Sequence, residues 1–203
     1  QLRHNLGGVL WKRGKLAEAE TEYRTAIDLL ASSLGPDHPK IAIVRGNLAA
    51  VLRVRGRRED AESEARAADA SRLRSLGPDH VLYGSGKTTL ANILTDARKF
   101  DEAEAEAKKG LEIVRAAVGR VHGKTADAVN GVGRILIMQG KGNEAEEAFR
   151  ETLAIRIELN GPEAPAVAGA YLNLAVALRR QNRLEEAEEN YKNAQRIWSA
   201  AFG

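Results

Sequence analysis

KIAIVRGNLAAVLRVRGRREDAESEARAADASRLRSLG, residues 40–77, is the stretch that decides the fold. Val44, Leu48, Val51 and Leu52 recur at helical spacing, so a first helix is expected from about Lys40 to Arg55. Gly56 then supplies the left-handed residue at which one helix stops and another can begin. The second helix opens with Glu59 and Asp60, whose charges suit the positive end of a helix dipole. It runs to about Leu76 and is stopped by Gly77 and Pro78. The segment therefore reads as one antiparallel helical hairpin.

Working outward, the same hairpin is found five times. Gly35, Gly77, Gly119, Gly161 and Gly203 are each 42 residues apart. The same spacing relates Leu10, Leu52, Leu94, Leu136 and Leu178. It also relates Ala19, Ala61, Ala103, Ala145 and Ala187, each followed by Glu. Residues equivalent to Gly56 are Gly14, Arg98, Gly140 and Asn182, of which Arg98 suits a left-handed cap least. All prolines (Pro36, Pro39, Pro78, Pro162 and Pro165) fall between repeats, where they interrupt no helix. The expected architecture is an all-α solenoid, a single array with repeats at approximately 1–35, 36–77, 78–119, 120–161 and 162–203.

One hairpin cannot bury its apolar face alone, so stacking must do it. Gly7, Ala49, Ala91, Gly133 and Ala175 are expected to face the recurring alanines across each hairpin. Tyr23, Phe149 and Tyr191 would fill the next layer, where two repeats carry only Ala65 and Ala107. The residues that recur are thus packing residues, and function is to be sought among those that do not.

Composition narrows the function classes. The 203 residues are 43% hydrophobic and 29% charged, which is globular usage. No cysteine is present, so disulfides, thiolate metal sites and cysteine nucleophiles are excluded, and a cytoplasmic setting is expected. No apolar run approaches the roughly 20 residues of a membrane span.

On these residues the chain can be compared with a family. Leu48-Ala49-x-x-Leu52, Gly56, Ala61 and Ala68 resemble the tetratricopeptide pattern of small and large residues over two helices. The 42-residue period, Asn47-Leu48-Ala49 and the Leu34 to Pro39 connector resemble the kinesin-light-chain subtype. The excess over the usual 34 residues is close to two helical turns, which preserves the buried face. Thr89 and Gly131 depart from the asparagine of that pattern. The resemblance implies a right-handed superhelix whose concave face, lined by first helices, binds peptides or partner proteins. It implies a non-enzymatic scaffold with no cofactor. Ala-, Arg- and Gly-rich usage resembles bacterial sequence, and both ends fall at repeat interiors or boundaries, as in a fragment of a longer protein.

Individual motifs fit this reading. Gly84-Ser85-Gly86-Lys87-Thr88-Thr89 resembles the end of a phosphate-binding loop, but Val81 stands where that motif needs glycine. The repeat register instead puts Lys87 inside a first helix. His38, His80 and His122 are one repeat apart, about 10 Å in packed helices, whereas metal ligands converge to about 2 Å from one ion. They are expected to cap or pack against the next helix, and no metal site is expected.

The first helices carry twelve basic residues: Arg3, Lys12, Arg13, Lys40, Arg45, Arg53, Arg55, Lys87, Lys124, Arg134, Arg179 and Arg180. Only Asp96 and Asp127 oppose them, although Arg13 and Arg55 belong at the rim. A basic groove recognising an acidic peptide follows, with a solvated charged face as the alternative. Few aromatics and interspersed acids argue against nucleic acid. By the resemblance, Asn5, Asn47 and Asn173 grip a peptide backbone; the alternative is bonding within their own hairpins. Trp11, Lys12, Arg53, Asn92, Asn130, Arg134, Met138, Arg179 and Arg180 are the variable neighbours that would set specificity. The rival function is a ligand-sensing or self-assembly segment of a larger bacterial signalling ATPase, self-associating through its terminal repeats.

Overall fold

The computed structural model describes residues 2–202, so Gly203, the last of the periodic glycines, lies outside the described residues. Those residues form ten helices and no strand. In order they are α1 (Leu2–Lys12), α2 (Leu16–Leu34), α3 (Pro39–Val54), α4 (Arg58–Leu76), α5 (Val81–Asp96), α6 (Phe100–Val118), α7 (Gly123–Met138), α8 (Gly142–Asn160), α9 (Pro165–Arg180) and α10 (Leu184–Phe202). They divide into two compact units, one ending at Glu106 and the other beginning at Ala107, so the boundary falls within α6. In the first, α1 packs on α2 and α3 on α4, with α2 against α3 and α4 against α5. In the second, α7 packs on α8 and α9 on α10, with α8 against α9.

Local chemistry places the helix ends. At each hairpin turn one residue is left-handed: Gly14, Gly56 and Gly140 at φ of 74°, 77° and 79°, and Arg98 and Asn182 both at 61°. Arg98 thus adopts a conformation that L side chains disfavour. Between hairpins, Gly35, Gly77, Gly119 and Gly161 stop the second helices at φ of 79–86°. The connector histidines then start the next helix. His38, His80 and His122 each accept, through Nδ1, the backbone N–H two residues on, at 3.3, 3.1 and 3.1 Å. This satisfies one of the orphan donors of a helix start, the role usually given to Ser or Asp.

Packing corrects one expectation. Tyr23 and Phe149 do not occupy a layer beyond the small residues; they lie directly against them. A methyl on Gly7 would stand 2.8 Å from the Tyr23 ring, and one on Gly133 would stand 2.7 Å from the Phe149 ring. Both rings are almost fully buried, each contributing about 1.5–3 kcal/mol. Where the second helix carries Ala65, α3 carries the larger Ala49. That hairpin thus holds two alanines where the hairpins of Gly7 and Gly133 hold a glycine–aromatic pair. Tyr191, opposite Ala175, is only half-buried.

Candidate binding face

Within each unit the first helices carry the positions that packing leaves variable. Their amides are not free-standing. Asn47 Nδ2 donates to His4 Nε2 at 2.8 Å, tying α3 to α1. Asn173 Nδ2 donates to Asn130 Oδ1 at 2.7 Å, tying α9 to α7. Neither amide bonds within its own hairpin; each reaches the preceding first helix and fixes the register between hairpins. Burial lowers the pKa of His4, so the ring stays neutral and can accept. Asn5 is exposed on α1, and Asn92 is half-buried on α5.

The cations divide into two groups. Arg3, Arg45 and Lys87, one period apart, reach the second helix of their own hairpin at Glu22, Glu64 and Glu106, at 3.0, 2.6 and 2.5 Å. Arg53 meets Asp96 of the next first helix at 3.3 Å, and Arg55 turns away to Glu20. These five are therefore not available as unopposed groove charges. Lys12, Arg13, Lys40, Lys124, Arg134, Arg179 and Arg180 form no ion pair among the described residues, and all but the half-buried Lys124 are exposed. Trp11 is half-buried beside Lys12, and Met138 is 54% exposed. Arg180 also lines a cleft of about 450 Å³ at the turn end of α9, with Ile137, Asn143 and Glu144.

Lys87 lies inside α5 as its register predicts. It is 3% exposed, and its Nζ binds Asp69 at 2.9 Å as well as Glu106. Burial alone would lower its pKa, but the hydrogen bonds it donates to Glu106 and Asp69 outweigh this and raise the value. The ammonium also sits 4.8 Å from the centre of the Tyr83 ring. The look-alike motif is thus a helical segment whose lysine joins three helices.

A second recurring set went unread in the sequence. Arg57 reaches Glu20 at 2.7 Å, Lys99 reaches Glu62 at 2.8 Å, and Arg183 reaches Glu146 at 2.5 Å. Each base stands just before a second helix, and each acid follows the recurring alanine of the preceding hairpin. The signal was present, because Lys15, Arg57, Lys99, Lys141 and Arg183 are all basic and 42 residues apart. Burial opposes ionisation of Glu20 and Glu146. The hydrogen bond from Arg24 and the charges of Arg57, Arg24 and Arg55 nevertheless lower the pKa of Glu20. Gln181, Arg150 and Arg183 do the same for Glu146. Arg72 was missed as well, for a different reason: it lies on a second helix, yet it lines a cleft in the first-helix face with Asn47 and Thr89.

Helical hairpins stacked through small residues, with variable polar side chains on the first helices, define a helical-repeat protein. The tetratricopeptide repeat profile matches residues 1–68, 84–158 and 124–200, and the chain belongs to that family. Among solved structures, it is similar to BtubC (BKLC) from P. vanneervenii, with a TM-score of 0.82 and 24% identity over 98% of this chain and 79% of that one. It is also similar to a Podosopora anserina protein named for kinesin light chain with nearly identical TPR-like repeats: TM-score 0.83, 19% identity, 98% of this chain and 94% of that one. A Rap protein complexed with Competence and Sporulation Factor matches with a TM-score of 0.80 and 20% identity, over 97% of this chain and 53% of that one. No curated protein sequence matches the chain.

Proposed function

We propose that this chain is a protein-binding scaffold whose first-helix face takes a peptide segment carrying acidic residues. The observation that carries the reading is the set of exposed first-helix cations Arg134, Arg179 and Arg180 in the unit that begins at Ala107, which have no carboxylate partner among the described residues. Asn130 and Asn173 complete the proposed face there; Asn5, Trp11, Lys12, Asn47, Arg53 and Asn92 are the proposed contacts of the unit that ends at Glu106. Asn47 and Asn173 hold the hairpins in register and retain a carbonyl oxygen for a ligand's backbone N–H. That a structural relative was solved in complex with a factor supports the same class of activity.

Electrostatic pairing of this kind speeds encounter and rejects wrong partners more than it adds affinity. Exposed pairs contribute at most about 1 kcal/mol each, so several must act together. The test is fluorescence anisotropy with an array of labelled acidic and charge-neutral fifteen-residue peptides at low and high salt. Acidic peptides should bind preferentially, and Arg134→Glu with Arg179→Glu should weaken them about tenfold or more while leaving the helical signal intact. Equal binding of neutral peptides, or binding indifferent to this double substitution, would refute the reading. Arg53 is a poor choice for this experiment because Asp96 already holds it.

A further inference from the structure

In the unit that ends at Glu106, a second-helix arginine opens into the first-helix face. Arg72 lies on α4, but its guanidinium passes between α3 and α5, where glycines leave it room. A methyl on Gly46 would stand 2.8 Å from Nη2, and one on Gly86 would stand 2.6 Å from Nη1. The guanidinium lines a cleft of about 350 Å³, with Asn47, Ser85 and Thr89 as polar walls and Ile43 and Leu82 as apolar ones. A guanidinium has five N–H donors. Arg72 uses one nitrogen, Nη2, on the carbonyl of Ala42 at 3.0 Å, and it forms no ion pair among the described residues. Burial lowers its pKa, and the charge of Asp69 offsets this only in part. That carboxylate is already bound to Lys87.

The repeat supplies an internal comparison. Arg156 occupies the same position two repeats on and pairs with Asp127, 29 residues before it. The residue in that place before Arg72 is Ile43. One hairpin therefore carries both the guanidinium and its carboxylate, whereas the other carries the guanidinium and a cleft.

We propose that this cleft is a carboxylate site that takes an acidic side chain of the bound peptide, with the carboxylate on Arg72 and the aliphatic stem between Ile43 and Leu82. The proposal rests on the peptide-binding reading and gives it one partly buried anchor among exposed charges. A planar fork with unused donors matches a carboxylate in two parallel bonds, and Ser85 and Thr89 offer hydroxyl donors beside it. Shielding from water makes such a pair stronger than the exposed ones.

The experiment follows the Arg72 Nε–Hε resonance of the intact ¹⁵N-labelled chain. The probes are N-acetylglutamate α-amide, its glutamine analogue, and N-acetylglycylglycine, whose only carboxylate is terminal. The glutamate probe should give a saturable shift, and the glutamine analogue should bind about tenfold or more weakly. Gly86→Ala, whose methyl would stand 2.6 Å from Nη1 and displace the guanidinium, should abolish the shift. No response to any carboxylate would overturn the site. A response to N-acetylglycylglycine as strong as that to the glutamate probe would overturn the side-chain assignment in favour of a peptide terminus. If acidic peptides bind as proposed above while Arg72 stays silent, only this inference falls. If Arg72 responds but no acidic peptide binds, the carboxylate site stands and the wider reading falls.

Discussion

At Arg98 the backbone turns from α5 into α6 with φ of 61°, which costs a side-chain residue about 1–2 kcal/mol. Its guanidinium recovers part of this over the Phe100 ring, 5.7 Å away. Arg98→Gly should therefore raise stability by about 0.5–1 kcal/mol, read as a higher midpoint in urea; a lower midpoint would mean that the ring contact outweighs the strain. His4 gives a pH-dependent counterpart. Its pKa is held below the ordinary 6.5, so the folded state binds fewer protons there than the unfolded chain. The stability it contributes is complete above pH 6.5 and is lost as pH falls through the folded value, when the ring can no longer accept from Asn47. A His4 ring titrating at or above 6.5 by NMR would contradict this. The strain at Arg98 could be read in the sequence, because four equivalent positions hold Gly or Asn. The role of His4 could not, since the bond to Asn47 crosses 43 residues and neither residue announces a partner.

Helix pairs respond to a glycine according to what faces it. Gly133 meets the Phe149 ring at 2.7 Å in a core where nothing can move aside, so Gly133→Ala should destabilise by about 1–3 kcal/mol despite the better helix propensity of alanine. Gly86 meets the flexible Arg72 side chain, Nη1 at 2.6 Å and Cδ at 3.1 Å, which can swing away, so Gly86→Ala should change stability by less than about 1 kcal/mol. Parallel thermal melts separate the two, and equal losses would contradict the distinction. The hairpins themselves were legible to within a residue or so: the first helix expected from Lys40 to Arg55 runs from Pro39 to Val54. Apolar spacing, capping and the connector prolines all agree there. What the pattern missed was the layer in which Tyr23 and Phe149 pack, because periodicity identifies a face and says nothing about depth. Arg72 was missed because its equivalents are Leu30, Val114, Arg156 and Trp198, so no recurrence marks it.

For the molecule taken together, charge bookkeeping decides how much surface remains for a partner. Twelve first-helix cations read as a basic groove, yet five are held by acids of the chain itself, which linear sequence could not show because their partners lie 18 to 43 residues away. Glu20, Glu62 and Glu146 at the hairpin junctions all have pKa values below the ordinary 4.5. Their contribution is present above the unfolded value and is lost as pH falls through the folded ones, so urea midpoints should decline below pH 4.5. Glu146→Gln should lower stability at pH 7 by about 1–2 kcal/mol and blunt that decline; an unchanged acid profile would show the bridge to be idle. These junctions also bear on how such a chain can change length. The acid belongs to one hairpin and the base to the next, and each kind recurs every 42 residues. Excising residues 36–77 in frame would bring Lys99 opposite Glu20, an acceptable match. Duplication or loss of a whole period by unequal recombination therefore leaves compatible seams, whereas insertion of any other length does not.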